Sequence, residues 1–274
     1  MTVLTALFSV TTWGQSLSPS AFIPVSAGVV RVEADRQHGG LSLGSGVTVA
    51  PSVVVTNCHV IRDAAAIRIS GAGRLWNVDR EYADTAHDLC FLRVSAWRGS
   101  PVVLGALDSS RVGEPVAALG FTGGAGIAVK LGHVRALHTF EDARIIESDA
   151  AFTSGSSGGG LFDGNGELIG LLTFRLRGSD ANYYSVPAQW IRDRLPAEDQ
   201  WTNVEPLHGP PPFWQGKADE LPYFMRVAPL DAEGSWTELI ELADRWSSAY
   251  PQDAEPLIIR AKALQRLNRP RNEP

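Results

Sequence analysis

The residues best suited to chemistry lie in the run 153–160, Thr-Ser-Gly-Ser-Ser-Gly-Gly-Gly, where Ser157 stands between glycines. Acyl transfer needs a serine oxygen on a tight turn, with backbone N–H groups aimed at the oxyanion that forms on the attacked carbonyl. Gly155 and Gly158 can take positive φ without a Cβ clash, and Gly159 and Gly160 let another chain approach closely. A Gly/Ser cluster read by itself is a flexible turn. A serine alone is also a poor nucleophile, so the catalytic reading requires a base and a group that orients it. His59 is the candidate base. It ends the apolar run 53–55 in Thr56-Asn57-Cys58-His59-Val60, where a short helical turn begins. A lone histidine is as a rule a structural hydrogen-bonding group, so its value depends on its partners. Asp88 heads the apolar run 89–94. Burying a carboxylate there is costly unless it accepts hydrogen bonds or meets a cation, and a protonated imidazole supplies both. Asp84 and His87, in the adjoining polar turn, read as solvated surface residues.

Strands must position these groups. Alternating or buried apolar patterns occur at 28–34, 41–50, 53–55, 66–70, 75–82 and 87–94. They resume at 115–120, 127–131, 133–139, 144–148, 167–174 and 182–186, separated by Gly, Asp and Ser turns. The pattern is all-β, with a boundary between the two groups at 104–111 and a closing helix opening at 186–191. The chain has 274 residues, 44% hydrophobic and 20% charged, which is a globular composition long enough for more than one folding unit. A net charge of -6 argues against nucleic acid or an anionic membrane as partner. No apolar stretch approaches the roughly 20 residues of a membrane span. Residues 3–10 (VLTALFSV) look like the core of an export signal, without a basic residue before Arg31 or a small-residue cleavage site. They read as a clipped or misplaced signal, the alternative being a disordered tail. Two cysteines and no paired histidine spacing leave no zinc site, and no metal or cofactor is expected.

The order His59, Asp88, Ser157 is one of the chain orders known for a serine–histidine–aspartate triad. Thr56-Asn-Cys-His-Val60, His87-Asp-Leu89 and Gly155-Ser-Ser-Gly-Gly159 together resemble the three signatures of the chymotrypsin-like serine peptidases. The Thr-Asn-x-His-Val form is similar to the bacterial branch that includes the HtrA (Deg) proteases. The resemblance spans residues 26–196 and implies two six-stranded antiparallel β-barrels, 26–105 and 106–196. His59 and Asp88 would come from the first and Ser157 from the second, with Gly155 and Ser157 donating to the oxyanion. Ser156 stands where digestive members carry an aspartate that binds a new N-terminus, so activation by N-terminal cleavage is not expected. Cys58 and Cys90 flank the pair and would meet in a disulfide; the alternative is two small buried thiols. The pocket positions implied are Ala151, Phe152, Thr173, Phe174 and Arg175. With no carboxylate at Ala151, they describe a shallow apolar pocket for small aliphatic residues. In the alternative, Arg175 turns inward and selects acidic ones.

After residue 196 the composition shifts. Residues 197–233 read as a Pro-rich connector, with EPLHGPPPFWQG at 205–216 showing no periodicity. Ser235 to Glu238 form a capping-box pattern, opening a helix with Trp236, Leu239, Ile240, Ala243 and Trp246 on one stripe. A second helix begins near residue 253, with Pro256 in its first turn. The pair (234–274) weakly resembles a tetratricopeptide-repeat junction. Stacked repeats need about three units to stand alone, so the pair must pack on the barrels or belong to a longer array. The expectation is a periplasmic or secreted bacterial serine endopeptidase acting on polypeptides, with a helical appendage that can hold a protein partner. The alternatives are an inactive peptidase homologue and a helical adaptor. Removing 205–274 is expected to spare hydrolysis of a small ester.

Overall fold

A computed structural model of the chain describes residues 18–71, 73–106, 112–123, 126–176 and 182–268. The signal-like stretch 3–10 lies outside them, as do residues 107–111 of the expected boundary. The first group of strands comprises β1 (Val29–Arg36), β2 (Leu41–Ala50), β3 (Val53–Thr56), β4 (Ala64–Gly71), β5 (Arg74–Asn77), β6 (Arg80–Asp84) and β7 (Leu89–Arg93). They form one antiparallel sheet in the order β5-β4-β1-β2-β3-β7-β6.

The expected double-barrel fold is present, with the first half a curled seven-stranded sheet in place of six closed strands. The run 75–82, expected as one strand, breaks into β5 and β6, which pair with opposite ends of the sheet. At the break the Val78 N–H donates to Ile67 O (2.9 Å) and the Asp79 N–H to Arg93 O (2.8 Å), so consecutive residues hydrogen-bond to different strands. A bent strand that changes partners turns a corner, and the sheet curls until its two ends meet there.

The second group is a closed six-stranded barrel, β10-β13-β12-β11-β8-β9. Its strands are β8 (Pro115–Phe121), β9 (Ile127–Phe140), β10 (Ala143–Ser148), β11 (Gly160–Phe162), β12 (Leu168–Leu176) and β13 (Asn182–Pro187). Gly132, read as a break between two strands, lies inside β9. A side chain there would collide with the Ala150 backbone and Asp149, so this glycine serves close packing rather than a turn.

Four longer helical elements follow: α3 (Ala188–Asp193), α4 (Tyr223–Glu233), α5 (Trp236–Ala249) and α6 (Glu255–Leu267), after two single turns, α1 (Ile23–Ser26) and α2 (Cys58–Ile61). Helix α4 falls inside the span read as connector; Pro229 in its interior hid the helical pattern. Helix α5 starts where expected, but the Ser235 side chain makes no capping hydrogen bond. At the other end, Phe22, within the span 1–25 expected to be signal-like or disordered, is buried, its turn packing on β9 of the second barrel. One apolar core runs from Val47 and Phe91 of the first sheet, through Leu119 and Phe162 of the second, to Phe224 of α4 and Trp246 of α5. The C-terminal helices therefore close over the barrels rather than trailing from them.

Candidate active site

His59 is placed by β3, a four-residue strand buried throughout, which pairs with β7 so that Thr56 lies opposite Cys90. The chain leaves β3 through the buried Asn57 into α2, and the Asn57 amide reaches Asp88 O at 3.0 Å. Asp88 is fully buried and sits at φ 56. Left-handed backbone at a non-glycine residue persists only where its surroundings hold it. Here Asp88 Oδ1 accepts from the His59 N–H (2.8 Å) and Oδ2 pairs with His59 Nδ1 at 2.6 Å. A third donor, Trp214 Nε1, reaches Oδ2 at 3.1 Å. A buried carboxylate is tolerable on these terms because its oxygens are met by N–H groups. Cys58 and Cys90 are joined by a disulfide with Cα atoms 5.0 Å apart, tying α2 to β7 directly beside the pair.

Ser157 lies on the turn between residue 150 and β11 and is half-buried. Gly155 and Gly158 have φ of 96° and 83°, as the glycine run suggested. The Ser156 N–H turns inward to Thr153 O (3.0 Å), whereas among the described residues the N–H groups of Gly155 and Ser157 meet no backbone acceptor. The turn is fastened to the first sheet by a residue that sequence reading missed. Ser45 of β2 donates its hydroxyl to Gly155 O (2.8 Å) and accepts from the Phe121 N–H (2.8 Å). Its own N–H donates to Ser157 O at 2.8 Å. The sequence signal was Gly44-Ser45-Gly46, small residues in a strand where backbones approach; a side chain at 44 would strike Val60 and crowd Ser157 O.

Among the pocket positions, Ala151 and Phe152 line a narrow cleft of about 20 Å³ beside Ser156, with Ala118, Gly120 and Leu172 adding apolar wall and Lys130 also lining it. That is room for about one water-sized group. Thr173, Phe174 and Arg175 do not line it. The Thr173 hydroxyl donates to Leu171 O (2.7 Å) and accepts from the Asn57 amide (3.3 Å). Phe174 is stacked between Tyr184 and Trp214, and Arg175 is exposed to solvent.

Asp84 and His87 are not solvated. Their side chains are mostly covered, with His87 Nδ1 on Asp84 (2.9 Å), Nε2 on Glu141 (2.8 Å), and Arg194 on Asp84 (3.0 Å). Burial pulls the His87 imidazole down, but its bonds to Asp84 and Glu141 outweigh this and raise it above the usual range. The network holds the turn that leads into Asp88. Among the described residues no cluster suited to a metal ion occurs, and no helix is long and apolar enough to cross a membrane.

Residues 44–171 match the family model of the trypsin-like peptidase domain. Over 172 residues the chain is 31% identical to the periplasmic serine endoprotease DegP of Salmonella typhimurium, which takes in 58% of this chain and 36% of that protein. It is 31% identical over 163 residues to the anti-sigma-I factor RsgI9 of Acetivibrio thermocellus, 58% of this chain and 23% of the relative. The chain thus spans 36% or less of the length of these relatives. The solved HtrA-type protease AlgW, with a tripeptide, is similar at a TM-score of 0.60 and 26% identity, over 65% of this chain and 62% of that one. The Rv3671c protease of M. tuberculosis in its active form shares the fold at a TM-score of 0.61 and 19% identity, over 75% and 97% of the two chains.

Proposed function

We propose that this chain is a serine endopeptidase of the chymotrypsin-like, HtrA-type kind to which its double-barrel part is similar, with Ser157 the nucleophile, His59 the general base and Asp88 the group that orients His59. The observation that carries the reading is the buried Asp88 carboxylate held on His59 Nδ1 at 2.6 Å, together with a turn at 155–158 that packs at Gly158 against Thr56, on the strand leading to His59, and whose Gly155 and Ser157 N–H groups meet no backbone acceptor among the described residues. Asp88 fixes the tautomer in which Nδ1 carries the proton, leaving Nε2 to take the proton of Ser157 as its oxygen attacks the peptide carbonyl. His59 then returns that proton to the leaving amine, and water repeats the sequence on the acyl-enzyme. The Gly155 and Ser157 N–H groups receive the oxyanion; such a donor is typically worth about 3 kcal/mol of barrier.

The substrate is a polypeptide whose residue before the scissile bond is small and aliphatic. The narrow cleft beside Ala151 and Phe152 favours it, and the exposure of Arg175 favours it over an acidic residue. Lys130 also lines the cleft, and repulsion from this cation adds to the desolvation cost of a Lys or Arg side chain there. The DegP relative is periplasmic, and we infer an exported location for this chain. The exposed Leu257, Ile258 and Leu267 of α6 favour a protein partner for the helical segment as a second role.

Fluorophosphonate labelling tests the reading, because only an activated serine reacts. Labelling of the wild-type chain and none of Ser157→Ala is expected; equal labelling of both would overturn the assignment. Peptide-library cleavage tests the pocket, and a dominant Lys or Arg preference would overturn it.

A further inference from the structure

The segment read as a connector runs along the first barrel and is pinned on both sides of the His59–Asp88 pair. The Leu207 N–H donates to Arg62 O (2.8 Å), just after α2, and the Phe213 N–H to Ala86 O (2.9 Å), just before Asp88. The Arg62 guanidinium reaches back to Gly209 O at 2.9 Å. Between these anchors and α4, Trp214 is laid flat on Phe174 (ring centroids 5.1 Å, interplanar angle 12°) and edge-to-face with His59 (5.4 Å, 87°). Its indole N–H donates to Asp88 Oδ2 at 3.1 Å. The nearby hydroxyl of Thr173 is committed to Leu171 O and Asn57.

We propose that Trp214 is a positioning residue for catalysis: from outside the barrels it locks the Asp88 carboxylate, and through it the ring of His59. This rests on the triad reading above. A carboxylate oxygen offers two lone pairs. With Nδ1 of His59 on one side of Oδ2 and the indole on the other, the carboxylate cannot swing away from the imidazole. The indole plate also fixes the ring plane of His59 and keeps water off the pair, which strengthens the charge-assisted bond between them. The segment that carries Trp214 is continuous with α4 to α6, so catalytic competence depends on the docking of the C-terminal helices. Removal of 205–274, which on sequence grounds was expected to spare ester hydrolysis, should instead impair it.

The test uses the full chain with Trp214→Phe, which keeps a stacking ring and deletes the donor, and Trp214→Ala, which deletes both. Trp214→Phe is expected to lower kcat on a small ester by about tenfold or more, with KM little changed. The acid limb of its kcat/KM profile should move to higher pH, because Oδ2 keeps more charge with which to stabilise the protonated imidazole. The low-field NMR resonance of the His59 Nδ1 proton should shift in the same variant. That resonance can be read in an inert protein, so it tests the Trp214 contact even if wild-type chain fails to label and the triad reading falls. An unmoved resonance, or a wild-type pH profile and kcat in Trp214→Phe, would overturn the proposal. So would a gain in kcat/KM in Trp214→Ala, which would mean that the segment blocks the cleft. Should Trp214→Ala not fold, Trp214→Phe decides alone.

Discussion

On the triad reading proposed above, the reactive geometry in the first barrel is made by side chains. Asp88 is sealed from solvent, its carboxylate accepts from His59 and Trp214, and a disulfide ties the segments beside it. In the second barrel it is made by backbone: Ser157 sits on a turn defined by Gly155 and Gly158 at positive φ and fastened through main-chain groups to Ser45. The difference follows from the task. A base must be held in one tautomer, which takes a charged partner, whereas an oxyanion must meet N–H groups already in place, which takes a rigid turn. The halves should therefore fail differently when altered.

Ser157→Ala should produce the largest loss, roughly a millionfold in kcat by analogy with other triads, while the fold persists; active-site titration against thermal unfolding checks both. Asp88→Asn should cost about 10,000-fold by favouring the wrong imidazole tautomer. Proteolysis assays should locate that loss in kcat rather than KM. On the backbone side, Gly158→Ala leaves the side chains of the proposed triad intact but drives a methyl into Ser45 O and Thr56 Oγ1. A loss of about a hundredfold is expected, the scale for misplacing a reacting group by an ångström. Wild-type ester kinetics in Gly158→Ala would erase the contrast between the halves.

Reduction of Cys58–Cys90 should act on stability, lowering it by about 3 to 4 kcal/mol on the chain-entropy model; urea unfolding with and without reductant measures it.

The smallest effect should come from the clasp between the second barrel and α6. His138 bonds Glu147 (2.8 Å) and Glu255 (2.9 Å) and stacks on Phe224. Burial alone would pull the imidazole down, but the two carboxylates raise it to about 9. The folded chain then holds a proton that the unfolded chain releases near 6.5. This stabilisation is complete below about pH 6.5 and is lost as pH rises through 9. Unfolding midpoints should fall between pH 7 and 9, and His138→Gln should flatten that slope; an identical slope in the variant would remove the clasp.

Much of the barrel pair was legible because strands announce themselves locally, through alternation and turn residues. The errors arose where a residue's role depended on a distant neighbour. Val78 and Asp79 look like the middle of a strand, yet they hydrogen-bond to opposite ends of the sheet. Gly132 looks like a turn, yet it makes room for the 149–150 backbone. Ser45 and Trp214 carried no chemical signature of their own, since a hydroxyl in a glycine-flanked strand and an aromatic residue among prolines are common.

The sequence by itself determined the residue types and their order: a serine between glycines, a histidine ending a buried strand, an aspartate heading another, and two cysteines beside them. These are local facts, set by backbone freedom and apolar patterning. Only the tertiary structure decided that Asp88 is wholly buried, that Trp214 supplies its additional donor, and that the Pro-rich segment docks on the barrels. The physical reason is that burial and hydrogen-bond partnership belong to pairs of groups. Asp88 and Trp214 are 126 positions apart, and no local pattern along a chain encodes which donor a folded core will bring to a carboxylate.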